Sequence, residues 1–407
     1  MSNCIIAQSG GPTAVINSSV VGLLHANKDL KFFDKVYAGL NGIEGILNGN
    51  IIELSAFSDE DINSFRFTPS SGLGSCRYKM KNIEESSEEY DKLLDILKAN
   101  DIKAFFYVGG NDSMDTTAKL GKYAKDNGLD IKFIGIPKTI DNDLMYTDHT
   151  PGFGSAAKFI ATTVLETYLD SSVYTNNGIF VLETMGRDTG WLAASAALAK
   201  LNGRQVADFI YLPESHFDIE KFLVDVRNKF EEQNQVYIVV SEGIRTADGK
   251  FVAESTTQTH DKFGHAQLGG VAGFLKNLII NSGITNRVKA LELGVLQRCA
   301  MHCVSEIDLE EAFQAGYEAL KYATEGNSGY MVAIRRTNSS PYESEYFLIE
   351  ADKVANNVKY FPSSWINKEG NNLTEEALEY LSPLVSSIPK ILLKTPLPNF
   401  TVFNKQV

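Results

Sequence analysis

The sequence contains few cysteines and no long apolar run. Four cysteines in 407 residues are too few for a disulfide framework, and their scattered positions are typical of a reducing compartment. No stretch approaches the roughly 18 consecutive apolar residues that a membrane span requires. The first residues lack the basic and apolar segments of a signal peptide. These absences predict a cytoplasmic protein without a membrane partner.

Basic residues are also scarce relative to acidic ones. Lys and Arg number 38 against 51 Asp and Glu, which gives a formal net charge of −13 at pH 7. Such a chain is a poor non-specific ligand for phosphate backbones, so nucleic acid is not an expected partner. With 43% hydrophobic and 22% charged residues, the composition is that of an ordinary globular protein with a large core.

Short apolar segments that end in glycine, proline or a polar cluster alternate with helical patterns along the chain. The predicted strands are 5–7, 105–108, 133–136, 179–182, 209–212 and 237–240. Near-continuous apolar strands between helices indicate an α/β fold whose parallel sheets are covered on both faces. Ligands bind beyond the carboxyl ends of such strands, where the unusual residues of this sequence lie. Nearer the C-terminus, residues 338–345 are predicted to form a surface loop.

Two strand ends carry adjacent glycines. Residues 9–13 (Ser-Gly-Gly-Pro-Thr) follow the first strand, and residues 109–113 (Gly-Gly-Asn-Asp-Ser) follow the strand 105–108. Backbone N–H groups beside glycine can approach an anion closely, and a following helix favours negative charge, so both loops are candidate phosphate sites. An ordinary tight turn and a helix N-cap are the alternatives. Neither loop is a Walker A motif, and the chain lacks a clear dinucleotide fingerprint.

The segment 137–143 (Pro-Lys-Thr-Ile-Asp-Asn-Asp) combines several reactive groups at the end of a predicted strand. Asp141 and Asp143 lie beside Lys138 and Thr139. They supply a candidate general base, a second carboxylate that could orient a group or face a metal, and a cation for developing phosphoryl charge. A solvated turn is the alternative for the Asp-Asn-Asp run.

Taken together, these segments resemble the phosphofructokinase family. Four further motifs carry the resemblance in family order: residues 71–77 (Ser-Gly-Leu-Gly-Ser-Cys-Arg), 185–187 (Met-Gly-Arg), 241–243 (Ser-Glu-Gly) and 293–298 (Leu-Gly-Val-Leu-Gln-Arg). The resemblance implies two Rossmann-like lobes with mostly parallel sheets and an active site in the cleft between them. The implied donor-phosphate lobe spans 1–151 and returns at about 297–340. The implied sugar-phosphate lobe spans 152–296 and is joined by about 341–407.

The resemblance also implies a reaction, which is phosphoryl transfer to the 1-hydroxyl of fructose 6-phosphate to give fructose 1,6-bisphosphate. Mg²⁺ is the implied cofactor, a homodimer or homotetramer the implied assembly, and Asp141 the implied base, with Thr139 and Asp143 beside it. The residues assigned to the sugar phosphate are Thr139, Ile140, Asp141, Met185, Gly186, Arg187, Glu242, Lys289, Val295 and Arg298. Those assigned to the donor phosphates are Gly10, Gly11, Arg77, Gly109, Gly110, Asn111, Asp112 and Ser113.

Asp112 and Lys138 bear on the identity of the donor. Relatives that use ATP usually have glycine at both positions, whereas relatives that use pyrophosphate carry Asp and Lys, as this sequence does. A carboxylate at position 112 would oppose a nucleotide α-phosphate, and Lys138 would offset the charge of the shorter donor. The sequence therefore predicts pyrophosphate as the donor, with catalytic roles for both residues. An ATP-dependent phosphofructokinase and a catalytically silent sugar-phosphate-binding subunit are the alternatives.

Several positions depart from the family pattern. Asn111 stands where many relatives have a metal-binding Asp, which leaves its contact with Mg²⁺ open. Val295 replaces a His or Tyr that usually contacts the sugar phosphate, and Lys289 replaces an Arg, which exchanges a rigid fork for a point charge.

Two further features concern regulation and donor type. Val21 and His25 stand where regulated bacterial relatives have effector-binding arginines, so the sequence predicts a non-allosteric enzyme with hyperbolic kinetics. Residues 261–270, which include His265, resemble an insertion seen in pyrophosphate-type members.

Overall fold

The structure is a computed structural model that describes residues 2–253, 270–389 and 400–403. The chain divides into two compact units. Unit 1 comprises Met1–Ser155, Arg298–Val358 and Ser386–Val407, and unit 2 comprises Ala156–Gln297 and Lys359–Val385. Within the described residues, no helix has both the length and the apolar character needed to cross a membrane.

The strands and helices of the described residues alternate along most of the chain. The strands are β1 (Asn3–Gln8), β2 (Val36–Gly39), β3 (Ile51–Glu53), β4 (Ile102–Gly109), β5 (Lys132–Pro137), β6 (Gly178–Thr184), β7 (Lys200–Leu201), β8 (Arg204–Gln205), β9 (Phe209–Tyr211), β10 (Gln235–Ser241), β11 (Val288–Glu292), β12 (Tyr330–Ser339) and β13 (Tyr342–Glu350). The helices are α1 (Ile16–Leu30), α2 (Gly42–Leu47), α3 (Asp59–Phe65), α4 (Glu88–Ala99), α5 (Asn111–Asp126), α6 (Phe153–Ser171), α7 (Trp191–Ala194), α8 (Ile219–Gln233), α9 (Val271–Asn281), α10 (Glu306–Thr324), α11 (Ala351–Val354) and α12 (Glu375–Leu381).

A seven-stranded sheet forms the centre of unit 1, in the order β13-β12-β5-β4-β1-β2-β3. Its five inner strands are parallel, whereas the edge strands β3 and β13 are antiparallel to their neighbours. Successive side chains of a strand point to opposite faces. Ile6 and Phe106 cluster with residues of α1 and α10, while Ile5 and Phe105 cluster with residues of α2 and α4. Burial on both faces explains why these strands are almost continuously apolar.

Helices α1 and α10 approach closely through two glycines. A Cβ atom at Gly22 would lie 1.9 Å from the carbonyl oxygen of Phe313, and one at Gly316 would lie 1.9 Å from that of Ser19. Only residues without a side chain allow the two backbones to meet in this way. The contact fixes α1 against α10. Helix α1 follows residues 9–13, and α10 carries the buried acidic residues Asp308 and Glu311.

Unit 2 contains a parallel four-stranded sheet in the order β11-β6-β10-β9, together with the β7–β8 hairpin. Val181 and Ile238 of the sheet cluster with Phe222 of α8 and Leu275 of α9. The carboxyl ends of β6 and β10 lead directly into residues 185–187 and 241–243. Both motifs therefore lie at the same edge of the sheet.

The α/β class with mainly parallel sheets is confirmed, and each of the six predicted strands lies within or overlaps an observed strand. The predicted surface loop at 338–345 is wrong, because β12 and β13 run through it and leave only residues 340 and 341 between them. Residues 335–345 around the turn are mostly polar and exposed, so this part of the two strands lacks the apolar run that predicts a strand.

The two units also differ from the predicted lobes in the C-terminal part. Residues 341–358 and 386–407 belong to unit 1, since β13 pairs with β12 and Phe403 packs against Phe57 and Phe65. Of the predicted insertion 261–270, all but Gly270 lies outside the described residues, including His265.

Candidate active site

The first glycine loop directly follows β1. Gly10 adopts the left-handed region at φ 75°, which favours glycine. Its N–H donates to the carbonyl of Cys76 at 3.0 Å, and its carbonyl accepts the hydroxyl of Ser75 at 2.7 Å. These two bonds bring the exposed Arg77 to the neighbourhood of residues 9–13.

The second glycine loop joins β4 to α5. Gly110 is the N-cap of α5, and no side chain caps this helix, so the alternative interpretation of these residues as N-cap side chains does not apply. Gly109 packs against Ser113, since a Cβ at Gly109 would lie 1.9 Å from the Ser113 hydroxyl oxygen. Asp112 is exposed in the first turn. Its carboxylate therefore lies at the helix end that would otherwise attract an anion.

The side chain of Asn111 is engaged by the backbone that follows α11. Its oxygen accepts the N–H of Asn356 at 2.5 Å, and its amide donates to the carbonyl of Asn357 at 2.5 Å. A metal contact through this oxygen would compete with the first of these bonds.

The loop after β5 carries Lys138, Thr139, Ile140, Asp141 and Asp143. The Lys138 N–H donates to the carbonyl of Gly109 at 3.0 Å, so this loop and the second glycine loop are adjacent. The backbone N–H of Asp141 donates to the Thr139 hydroxyl oxygen at 3.1 Å, and that hydroxyl donates to the Asp141 carboxylate at 3.5 Å. Ile140 is buried, whereas the two aspartates are partly exposed.

The Lys138 ammonium lies against the first glycine loop. Its side chain is only 3% exposed, its Nζ donates to the carbonyl of Gly11 at 2.5 Å, and a Cβ atom at Gly10 would lie 3.3 Å from it. A side chain at position 10 would therefore meet the ammonium. Residues 9–13 and 138 form one compact group.

Charged side chains surround Lys138. Burial lowers its pKa to about 8, with Asp141 and Asp143 opposing that shift and Arg298 and Arg77 adding to it. The two carboxylates and two guanidinium groups thus lie close enough to Lys138 to affect its protonation. The structure brings these sequence-predicted residues together in unit 1.

Arg298 belongs to unit 1 as well. Its Nη1 lies 3.5 Å from the Cβ position at Gly11. The resemblance assigns Arg298 to the sugar phosphate. Its neighbours within unit 1 include Gly11, which the resemblance assigns to the donor phosphates.

In unit 2, the residues at the ends of β6 and β10 form a second group. The N–H of Gly186 donates to Glu242 at 3.2 Å, and that of Met185 donates to Gln297 at 3.2 Å. Burial raises the pKa of Glu242, while the Gly186 N–H and the Arg187 guanidinium oppose that shift. Gly186 and Arg187 therefore lie around the Glu242 carboxylate, and Met185 precedes them beside Gln297.

Two other sugar-phosphate candidates of unit 2 lie differently. The side chain of Lys289 is 59% exposed and pairs with Asp170 at 2.9 Å. Lys289 pairs in register with Phe180 and lies three residues before the end of β11. It is therefore not at the carboxyl ends of the strands, where Glu242 lies. Val295 is 57% exposed and presents an apolar surface to solvent.

Glu183 is a buried carboxylate to which the sequence interpretation gave no role. It accepts the N–H groups of Gly270 at 3.1 Å and Ala272 at 2.8 Å, and so holds the N-terminus of α9. Burial raises its pKa to about 7, and Glu292 and Glu242 add to the effect. In the sequence, the only sign of this buried carboxylate is a glutamate at the end of an apolar predicted strand.

The described residues contain no ready-made metal centre. In this part of the chain, no group of three or more His, Cys, Asp or Glu side chains is arranged to hold a metal ion. The carboxylates of the two strand-end loops are those of Asp112 after β4 and of Asp141 and Asp143 after β5. A metal here would need ligands from a bound phosphate.

The geometry defines a two-unit α/β protein with phosphate-type glycine loops and a lysine-aspartate group at its strand ends. Residues 3–322 match the family described as phosphofructokinase. The chain belongs to the phosphofructokinase family.

Curated relatives and a solved structure are similar over nearly the whole chain. A pyrophosphate–fructose 6-phosphate 1-phosphotransferase of Methylococcus capsulatus is 43% identical over 388 residues, covering 94% of this chain and 91% of the relative. Its namesake in Xanthomonas campestris is 42% identical over 385 residues, with coverages of 94% and 91%. The crystal structure of a pyrophosphate-dependent phosphofructokinase from Nitrosospira multiformis matches with a TM-score of 0.88 and 36% identity, covering 99% of this chain and 97% of that one.

Proposed function

We propose that this chain is a diphosphate–fructose-6-phosphate 1-phosphotransferase, which reversibly moves a phosphoryl group from pyrophosphate to the 1-hydroxyl of fructose 6-phosphate in glycolysis. The observation that carries the proposal is the buried ammonium of Lys138 against Gly10 and Gly11. The names and coverage of the relatives support the same activity. In this proposal unit 1 binds the donor and unit 2 binds the sugar phosphate.

The choice of donor rests on charge and space. Lys138 occupies the volume beside the first glycine loop, and Asp112 places a carboxylate at the start of α5. Two like charges 4 Å apart repel by about 1 kcal/mol in water and about 4 kcal/mol at an effective dielectric constant of 20. A nucleotide α-phosphate near Asp112 would incur that repulsion, whereas pyrophosphate ends before it.

The donor phosphates would be held by cations and backbone N–H groups of unit 1. Arg77 and Lys138 would supply positive charge to the donor, while Arg298 beside them keeps its assignment to the sugar phosphate. Backbone N–H groups of the two glycine loops would add hydrogen bonds, although the Ser113 N–H already donates to the carbonyl of Gly110 at 3.0 Å. In unit 2, Arg187 would pair with the phosphate of the sugar, and Glu242 would accept a sugar hydroxyl. These are the usual partners of phosphate and sugar groups.

In the proposed transfer step, Asp141 is the group that accepts the proton of the 1-hydroxyl. Its carboxylate takes the proton of the 1-hydroxyl as the oxygen of that hydroxyl forms a bond to the nearer phosphorus. The bond from that phosphorus to the bridging oxygen breaks, and orthophosphate leaves. Lys138 offsets the charge that develops on the leaving group, while Thr139 orients Asp141.

The carboxylates of the loops that follow β4 and β5 are suitable ligands for Mg²⁺. This ion commonly takes one or two carboxylates together with substrate phosphates, and Asp112 and Asp143 are oxygen ligands of that kind, with Asp141 kept for the proton. When bound, the ion would neutralise phosphate charge. The engagement of Asn111 with Asn356 favours the carboxylates over Asn111 as ligands.

The proposal extends to the setting of the enzyme, which we place in the cytoplasm as a homodimer or homotetramer. The exposed Lys289 and Val295 leave surface available for a neighbouring subunit. Sedimentation velocity distinguishes one copy from two or four.

A donor comparison tests the function. Fructose 6-phosphate and Mg²⁺ are supplied with either pyrophosphate or ATP, and fructose 1,6-bisphosphate is detected through coupled aldolase. We expect rapid formation with pyrophosphate and little with ATP. Turnover with ATP alone would support the ATP-dependent alternative, and turnover with neither would support the silent subunit. Asp141→Asn serves as the inactive control.

A further inference from the structure

Helix α10 presents two buried carboxylates to the segment that follows the Lys138–Asp143 loop. Asp308 accepts the backbone N–H groups of Gly152 at 2.8 Å and Ser155 at 2.9 Å. Glu311, three residues further on, contacts the ring of His149 at 2.5 Å. Residues three apart lie on one face of a helix. One face of α10 therefore holds residues 149–155 at both ends.

The His149 ring is enclosed between two carboxylates. It is 1% exposed, its Nδ1 lies 2.8 Å from Asp148, and its Nε2 lies 2.5 Å from Glu311. Ionised carboxylates only accept hydrogen bonds, so with both carboxylates ionised each ring nitrogen donates and the ring carries the imidazolium charge. Burial alone lowers the pKa of His149, but the two carboxylates outweigh it and raise the pKa to about 9.

Two strands complete the surroundings of this pair. From β13, the hydroxyls of Tyr342 at 2.5 Å and Ser344 at 2.9 Å donate to Glu311. From β12, Arg336 donates to Asp148 at 2.9 Å. The hydrogen bonds connect His149 to α10, β12 and β13, so its position is strongly fixed.

The residues next to His149 support the loop assigned to catalysis. The Thr150 hydroxyl donates to the carbonyl of Thr139 at 2.9 Å, and the Thr139 N–H donates to the carbonyl of Pro151 at 3.2 Å. The Thr139 hydroxyl in turn accepts the Asp141 N–H at 3.1 Å. A displacement of His149 would reach Asp141 through this short chain of bonds.

We propose that His149 is a positioning residue, which Asp148 and Glu311 hold in place so that Thr150 and Pro151 set the location of Thr139 and Asp141. The inference rests on the proposed function, because it concerns the loop that carries the assigned base. It gives a role to a buried residue that is not among those assigned to either substrate.

The kinetic test uses His149→Gln, which keeps one donor but removes the charge and the second bond. We expect kcat to fall about 10-fold to 100-fold, because a misplacement of about 1 Å can cost that much. The KM values for fructose 6-phosphate and pyrophosphate should stay within about twofold. His216→Gln makes the same change at an exposed site in unit 2 and should leave kcat unchanged. A folded His149→Gln enzyme with wild-type kcat would overturn the proposal.

Amide hydrogen exchange supplies a readout that does not need turnover. In His149→Gln, exchange in peptides covering residues 138–152 should accelerate at least about 10-fold, while exchange in α1 stays unchanged. Equal acceleration in both regions indicates general destabilisation and contradicts a positioning role. If His149→Gln does not fold, Glu311→Gln should give the same local acceleration, and its absence there overturns the proposal. Failure of the wild type to transfer phosphate would refute the proposed function and leave this measurement interpretable.

Discussion

Replacement of Lys138 by methionine should make the free protein more stable while it weakens pyrophosphate binding. Burial lowers the pKa of Lys138 from 10.5 to about 8. Each pKa unit corresponds to about 1.4 kcal/mol, so the charged ammonium costs the free fold about 3 kcal/mol. Loss of the hydrogen bond to Gly11 offsets about 1 kcal/mol of the gain. The net expectation at pH 7 is a stabilisation of about 2 kcal/mol.

The pH dependence of this effect has a defined sign. A cationic group whose pKa is lower in the folded than in the unfolded state destabilises the fold fully below its folded pKa. For Lys138 that cost is present below about pH 8 and disappears as the pH rises toward 10.5. The advantage of Lys138→Met should therefore shrink across this range.

Thermal melts at pH 7 and pH 10 measure this difference. At pH 7 the Tm of Lys138→Met should exceed that of the wild type by several degrees, at roughly 2–4 °C per kcal/mol. Added pyrophosphate should raise the Tm of the wild type more than that of the variant. Lys98→Met removes an exposed lysine and should change neither the Tm nor its rise on addition of pyrophosphate. A lower Tm for Lys138→Met at pH 7 would refute the reasoning.

Further predictions concern turnover and its donor. Asp141→Asn should lower kcat by about 10²-fold to 10⁴-fold while the enzyme still binds fructose 6-phosphate. Binding can be followed by the fluorescence of the chain's two tryptophans, Trp191 and Trp365, both in unit 2. Full activity of the variant would remove Asp141 from the base role. Asp112→Gly should raise kcat/KM for ATP while pyrophosphate remains preferred, and an unchanged donor ratio would contradict the charge argument. In the wild type, kcat/KM for pyrophosphate should fall as pH rises through about 8, because Lys138 loses its proton; a flat profile would exclude that dependence. Initial rates against fructose 6-phosphate should be hyperbolic, and a sigmoidal curve would contradict the absence of regulation.

Local sequence pattern was sufficient for the strands that lead into the site. Each is an apolar run closed by glycine or proline, and chain connectivity alone places residues 9–13, 109–113 and 137–143 at one edge of a parallel sheet. The family resemblance supplied roles for individual residues, which those patterns do not contain.

Long-range pairing explains what the sequence could not predict. His149 and Glu311 are 162 residues apart, and nothing near either one indicates the other. Asn111 similarly bonds to Asn356 across 245 residues. The tip of the β12–β13 hairpin was predicted as a loop because the strand residues around its turn are polar and mostly exposed.

Phosphorus-31 NMR of the working enzyme follows the donor and both products at once. With pyrophosphate, fructose 6-phosphate and Mg²⁺, but no nucleotide, the signals of orthophosphate and of the new 1-phosphate ester should grow in equal amounts as pyrophosphate declines. Adding excess orthophosphate should restore pyrophosphate. A pyrophosphate signal that stays constant, or that is converted to orthophosphate without any new ester, would contradict the account.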